Sequence, residues 1–226
     1  MMQKPPISII IPTLNEEENI IQCIENVNLS FPNCEIIVVD GGSIDKTVEL
    51  AYKLPVKLFK SRPGRGRQCR VGAEAATSDV FVFLHVDSVL PEGAISLLME
   101  QFIKPELSVA TFSVLYDGPQ KRYRFFEWAA QFESIFTTYG DQGIVIARDF
   151  FMNHVAFPEN DLFEDVAFFQ KARRKTKIHK LKIPILTSIR RFENKGFFKM
   201  TILNTFLMFA YLLGVKTSIL HRIYYK

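Results

Sequence analysis

Four short apolar runs, residues 7–11, 35–39, 56–59 and 80–84, each end in a polar or glycine-bearing cluster, and three of these clusters lead into a helical pattern. The runs are rich in β-branched and aromatic residues and are bounded by turn formers. They read as strands buried on both faces. Strand and helix in regular alternation predict an α/β fold. The sheet is expected to be mixed but mostly parallel, with helices on its flanks and right-handed crossovers. Ligands of such sheets collect where strands end at their carboxyl side. The clusters that close the runs are therefore the places to look for chemistry.

The first run closes in Pro12, Thr13, Leu14, Asn15 and Glu16. Pro12 is expected to stop the strand. Asn15 is expected to cap a helix reaching about Val27, with Glu18 completing a capping box. The second run closes in Asp40, Gly41, Gly42 and Ser43. The glycines permit unusual backbone angles and let a ligand approach the main chain. Asp40 can accept hydrogen bonds from a base or ribose, although a tight turn capped by Ser43 or Asp45 accounts for the same residues. Gly41-Gly42 is not a dinucleotide fingerprint. The third run leads into Arg62, Arg65 and Arg67 on a glycine-bearing loop before an alanine-rich helix. Arginines there suit a diphosphate; a solvated loop is the plainer alternative. No Gly-Lys-Ser/Thr follows, so this is not a P-loop. The fourth run closes in His85, Val86, Asp87 and Ser88. Asp87 can hold a divalent metal that neutralises a diphosphate, or Asp87 or Ser88 merely caps the next helix.

Beyond lie an expected helix at 91–103, a strand at 109–115 and an aromatic-rich helix at 121–136. A polar turn then carries Asp141 and Gln142, which can reach a sugar or simply make the turn. A strand at 144–147 follows. Glu164 and Asp165 are adjacent carboxylates at a helix start, beside apolar residues. Such a pair is costly to bury without a role. One can act as general base toward a sugar hydroxyl; a helix N-terminus that favours acids is the alternative. The basic run 171–182 reads as a solvated helix end or a membrane-facing patch. A strand at 185–189 closes in Arg190 and Arg191, which can clamp a leaving diphosphate.

At 226 residues, 48% hydrophobic and 23% charged, the chain is expected to be one globular domain. A net charge of +4 is mild for a nucleic-acid binder and suits anionic ligands. Cys23, Cys34 and Cys69 are scattered, which fits a reducing compartment. With no basic-then-apolar leader at the N-terminus, the expected location is cytoplasmic, or peripheral to the inner face of the membrane. Residues 200–215 carry no charge. That run is short for a bilayer span. It is expected to pack on the domain, form a dimer contact, or lie in the membrane interface.

Taken in order, IIIPTLNEEENI, EIIVVDGGSIDKT, GRGRQ, FLHVDS, YGDQGI, FPENDLFEDVAF and TSIRRF resemble a family 2 glycosyltransferase of the GT-A type. The chain looks closest to a small single-domain bacterial subgroup, some of whose members are named for arsenosugar biosynthesis. The resemblance implies a nucleotide-binding half at 1–90, an acceptor half at 91–194 and a C-terminal apolar helix at 195–226. It implies that Pro12, Thr13, Asn15 and Glu16 cradle the nucleotide and that Asp40 reads the base. Gly42, Ser43, Arg65, Arg67, His85, Asp141, Gln142, Glu164, Arg190 and Arg191 would line the nucleotide-sugar site. Asp87 would hold Mg²⁺ or Mn²⁺, and Asp165 would be the general base of a single inverting displacement. The partners would be a nucleotide-diphosphate sugar and an acceptor hydroxyl, with a lipid-linked acceptor as one option and no nucleic acid. His85 departs from the family pattern, standing where many relatives carry the first acid of D-x-D. Phe192 stands where a Trp is usual, and no Gln precedes the arginines, which fits a non-processive enzyme. Two other readings remain: a nucleotidyltransferase of similar plan, and a membrane-associated binding module without activity.

Overall fold

The computed structural model describes residues 6–102, 107–118, 123–158, 162–189, 193 and 196–224. In chain order the strands are β1 (Ser8–Thr13), β2 (Glu35–Asp40), β3 (Lys57–Lys60), β4 (Val80–Phe83), β5 (Ser88–Val89), β6 (Val109–Tyr116), β7 (Ile144–Ala147) and β8 (Ile178–Thr187). The helices are α1 (Ile20–Ser30), α2 (Thr47–Tyr52), α3 (Arg65–Ala75), α4 (Ala94–Phe102), α5 (Tyr123–Ala129), α6 (Arg148–His154), α7 (Glu164–Arg173), α8 (Phe197–Leu212) and α9 (Thr217–Tyr224).

The strands form one eight-stranded sheet in the order β3-β2-β1-β4-β7-β6-β8-β5. β3, β2, β1 and β4 run parallel, and β8 runs parallel to β6. β7 is antiparallel to both β4 and β6, and β5 is antiparallel to β8. The expected mixed, mostly parallel sheet with flanking helices is therefore observed. Successive residues of β1 serve different cores. Ile9 and Ile11 pack with α1 residues Ile24 and Val27, whereas Ile10 packs with Phe81, Phe168 and Phe169 on the other face. Helices thus cover both faces, which is why the strands read as continuous apolar runs. Much of the phenylalanine excess lies in the second core, where Phe157 and Phe168 stack with centroids 4.5 Å apart.

From β1 the chain winds outward to β2 and β3, then returns past β1 to β4. The carboxyl ends of β1 and β4 therefore diverge into a crevice, the place where open α/β sheets bind ligands. β7 brings its start to this same end, because Ile144 is opposite Phe83.

Several expected boundaries shift. Pro12 lies inside β1, opposite Val39. It is tolerated because the pairing of β1 with β4 covers only Ser8 to Ile10, so no partner on that side needs its missing N–H. α1 starts at Ile20 rather than at Asn15. α3 starts at Arg65, so Arg65 and Arg67 stand in a helical first turn and not on a loose loop. The strand expected at 185–189 is the end of ten-residue β8. The C-terminal run forms two helices, α8 and α9, joined through Gly214 at φ 86°. No helix among the described residues is long and apolar enough to cross a membrane.

Candidate active site

The loops after β1 and β2 are stitched to each other. Asn15 sits at φ 55°, in the left-handed region that Asn tolerates better than most residues. Its backbone N–H donates to Ser43 Oγ at 2.9 Å, and its side-chain Oδ1 accepts from Ile44 N at 2.9 Å. Glu16 N donates to Thr47 Oγ1 at 2.7 Å. Asn15 is thus a cross-loop tie, not the helix cap expected from sequence. Asp40 is buried, and its Oδ2 accepts from Gly42 N at 2.9 Å and Ser43 N at 3.1 Å. Gly42, at φ 99°, supplies the bend that brings its own N–H there. Thr13 is buried at the end of β1, with Pro12 beside it on the wall of a small cleft shared with Arg65, His85, Gly140 and Asp165.

Sequence reasoning passed over the residue that holds these strand ends level. Gln68 Nε2 donates to both Thr13 O, at 2.7 Å, and Val39 O, at 2.8 Å. Gln68 lies one helical turn before Gly72, on the buried face of α3. A polar residue at an inward helical position was the signal that could have found it.

Arg65 joins the two halves of the site. Its Nε donates to Glu164, its Nη1 lies 2.8 Å from His85 Nε2, and its Nη2 lies 3.6 Å from Asp165 Oδ2. Burial opposes the guanidinium charge, but Glu164 and Asp165 outweigh it and hold its pKa above the ordinary value. Arginine can only donate, so His85 Nε2 is the acceptor and the neutral ring carries its proton on Nδ1. Glu164 and Asp165 are both buried at the start of α7. Asp165 Oδ2 accepts from Gly140 N at 2.7 Å, and Oδ1 from Val166 N at 2.8 Å. Two glycines permit this closeness. A Cβ at Gly66 would stand 2.5 Å from Pro158 O, and one at Gly140 would stand 3.2 Å from Asp165 Oδ2. Phe163, just before the pair, has φ 60°, and its ring lies tilted by 39° against Tyr211 of α8, centroids 5.1 Å apart.

Asp141 is the unsettled group. Its Oδ1 is buried with no hydrogen-bond partner among the described residues. Burial pushes its pKa up to about 6, Asp165 and Asp87 add to the rise, and Arg65 and Lys180 oppose it. Burial raises the Cys23 thiol to about 12, and the charges of Asp87 and Glu16 add to the rise. Asp87 and Asp165 thus both act against a charge on Asp141. No three His, Cys, Asp or Glu among the described residues form a metal cage. One or two carboxylates with substrate phosphates is nevertheless the usual donor set for Mg²⁺. The orphaned Asp141 oxygen beside Asp87 fits a divalent cation.

Gln142 faces inward. Its Nε2 donates to Thr137 O and its Oε1 accepts from Lys180 and from Thr111 Oγ1. It braces the turn under Asp141 instead of reaching a sugar. Arg67 Nη1 donates to Pro63 O at 2.8 Å, bracing its own loop. Arg190 and Arg191 lie outside the described residues.

Residues 8–166 match the family described as Glycosyl transferase family 2. The chain belongs to this family. Among curated relatives, dolichol-phosphate mannosyltransferase of Pyrococcus furiosus is 37% identical over 102 residues, 42% of this chain and 29% of the relative. The 4,4'-diaponeurosporenoate glycosyltransferase of Staphylococcus haemolyticus is 26% identical over 123 residues, 49% of this chain and 33% of the relative. The chain thus spans about a third of the length of these relatives. Among solved structures, glucosyl-3-phosphoglycerate synthase from Mycobacterium tuberculosis, in complex with Mn²⁺, UDP-glucose and phosphoglyceric acid, superposes with TM-score 0.60 at 17% identity, over 80% of this chain and 70% of that one. TarS of S. aureus in complex with UDP gives TM-score 0.64 at 20% identity, over 81% and 60%. At these identities the likeness is one of fold.

Proposed function

We propose that the chain is an inverting glycosyltransferase that moves a sugar from a nucleoside-diphosphate sugar to an acceptor hydroxyl. One observation carries the reading. Asp165 is a buried carboxylate aimed by Gly140 N, with Arg65 beside it, at the mouth of the crevice where β1 and β4 end. In this reading Asp165 takes the proton of the acceptor hydroxyl as its oxygen bonds to C1 of the sugar. The bond from C1 to the nucleoside diphosphate breaks on the opposite face. Asp87, with Asp141 beside it, would hold Mg²⁺ or Mn²⁺, which supplies charge to stabilise the diphosphate as it leaves. The stitched loops at Thr13 to Glu16 and Asp40 to Thr47 bind the nucleoside. Arg65, with Nη2 3.6 Å from Asp165 Oδ2, helps orient that carboxylate.

The division of labour follows the sheet. Residues 1–90 serve the donor, 91–194 the acceptor, and the segment from 195 onward adds the C-terminal helices. Two fold neighbours hold UDP or UDP-glucose, which favours a UDP-sugar as donor. We extend the proposal to a narrower kinship with the subgroup named for arsenosugar biosynthesis, on the strength of the sequence motifs alone. A thermal-shift panel of nucleotide sugars with Mn²⁺ decides the class, because a ligand that binds only the folded state raises the melting temperature. Stabilisation by a nucleotide sugar, lost in Asp87→Ala at unchanged melting temperature of the bare protein, is the expected result. Stabilisation by free nucleoside triphosphates alone would instead identify a nucleotidyltransferase.

A further inference from the structure

Helix α8 has two apolar faces. Met200, Leu207 and Met208 are buried against the domain. Phe198, Ile202, Phe206, Phe209 and Leu213 follow one another at helical spacing on the opposite face, all more than half exposed. A helix apolar on both sides belongs in a core or against another apolar phase. The outer stripe continues onto α5 and the turns after it. Phe126 lies 5.6 Å from Phe197 and Phe136 lies 6.2 Å from Phe209, bridging the two segments. Exposed Phe125, Trp128 and Phe132 form a chain of rings 5.9 and 5.0 Å apart along α5 and its end. A contiguous surface of this kind marks an interaction site.

The charges around it select the occupant. From residue 194 to the end the sequence contains no Asp or Glu. Lys199, Lys216 and Arg222 are exposed there. Of the acids near α5, Glu133 is paired with Arg173 at 2.6 Å and Glu127 accepts from Tyr116 N at 3.0 Å. A second copy would set this basic rim against another basic rim. Anionic headgroups complement it, and exposed Trp and Phe are the side chains that settle at headgroup depth. α8 has 16 residues, short of the roughly 20 a bilayer span requires.

We propose that the aromatic ledge of α5 and α8, with the basic residues of α8 and α9, docks the protein onto an anionic lipid surface, the helices lying in its plane. The surface itself does not depend on the transferase reading. Its consequence for the acceptor does rest on that reading: Tyr211 of α8 contacts Phe163 and, at 3.4 Å, Gln170 of α7, the helix whose first turn carries Asp165. Docking therefore sets the acceptor side of the crevice at the headgroups, where a membrane-borne hydroxyl is presented.

Trp128 is the only tryptophan and reports directly on the ledge. The full chain is mixed with phosphatidylglycerol-containing vesicles, or with pure phosphatidylcholine vesicles, at low and high salt. The expected result is co-sedimentation with the anionic vesicles, weakened by salt, with a blue shift of Trp128 emission. Ile202→Glu with Phe206→Glu should abolish both while leaving the melting temperature and nucleotide-sugar stabilisation in place. A protein that stays in the supernatant at low salt with unchanged emission overturns the proposal. So does a dimer that this double variant dissociates and that shows no vesicle binding. Donor binding is read separately, so failure of the surface and failure of the transferase reading give different results.

Discussion

Two buried carboxylate sites stand at opposite ends of one sheet, and they are built on opposite rules. At the amino end, Glu35 opens β2. Its oxygens accept from Ser8 Oγ, Lys57 Nζ, Thr77 N at 2.8 Å and Thr77 Oγ1 at 3.1 Å. Burial would raise its pKa, but Lys57, Ser8 and Thr77 together hold it below the ordinary value. The first residue of β1, the first of β3 and the approach to β4 are thereby clamped to one carboxylate. At the carboxyl end, Asp141 has an oxygen with nothing to accept from among the described residues and a pKa pushed up to about 6. A saturated buried network makes a fold rigid; an unsaturated one holds free energy for a ligand to release.

The contrast breaks or sharpens under substitution. The largest effect is expected for Asp165→Asn, which should lower turnover by about 10²–10⁴-fold while donor stabilisation and melting temperature barely move. If Glu164→Gln is the inactive variant instead, the base has been assigned to the wrong carboxylate. Glu35→Gln should do the reverse. Chemical denaturation should show a loss of about 1–3 kcal/mol, with turnover per folded molecule unchanged. Because the folded pKa of Glu35 lies below its unfolded value near 4.5, its contribution is fully present above that pH and fades as pH falls through the folded pKa. The wild-type protein should therefore lose stability more steeply below about pH 4.5 than the Gln variant.

Asp141→Asn tests the unsaturated end. The folded pKa is about 6 and the ordinary value 3.8, so the native state loses stability as pH rises between them, and the penalty is complete above 6. The variant should gain several degrees at pH 8 over wild type and little near pH 4, and Mn²⁺ should narrow the gap at pH 8. A gain independent of pH would show that Asp141 is not the strained group. The smallest effect belongs to Lys57→Met. The lysine side chain is 53% exposed, and a pair so open to water contributes about 0–1 kcal/mol. A larger loss on denaturation would mean that Lys57, and not the hydroxyls and N–H, satisfies Glu35.

The catalytic end was legible where polarity changes abruptly along the chain. Asp40, Asp87 and the Glu164-Asp165 pair each interrupt an apolar run, and chain connectivity brings them to one edge. Residues that act across space were harder to read. Asn15 looks like a helix cap because it precedes acids and a helical pattern, yet its left-handed backbone turns it toward the β2 loop. Glu35 looked like the polar start of a strand, and only β3 and the approach to β4, far away in sequence, reveal its partners. Arg65 read as one of three loop arginines. Helix α3 begins there and sends it to the acids of α7. Asp87 lies four residues past the end of β4, in the turn that leads into β5.

The bend at Phe163 has a consequence for where this enzyme can be cut. A bulky residue in the left-handed region carries a backbone cost of about 1–2 kcal/mol, and the ring of Tyr211 lies against it. The match to the family ends at residue 166, so this counterweight comes from outside the matched stretch. Trimmed after β8 and before α8, the protein would keep the sheet and Asp165 and lose the ring that lies against this bend. Exchanging the tail would therefore change what rests against this bend along with whatever else the tail touches.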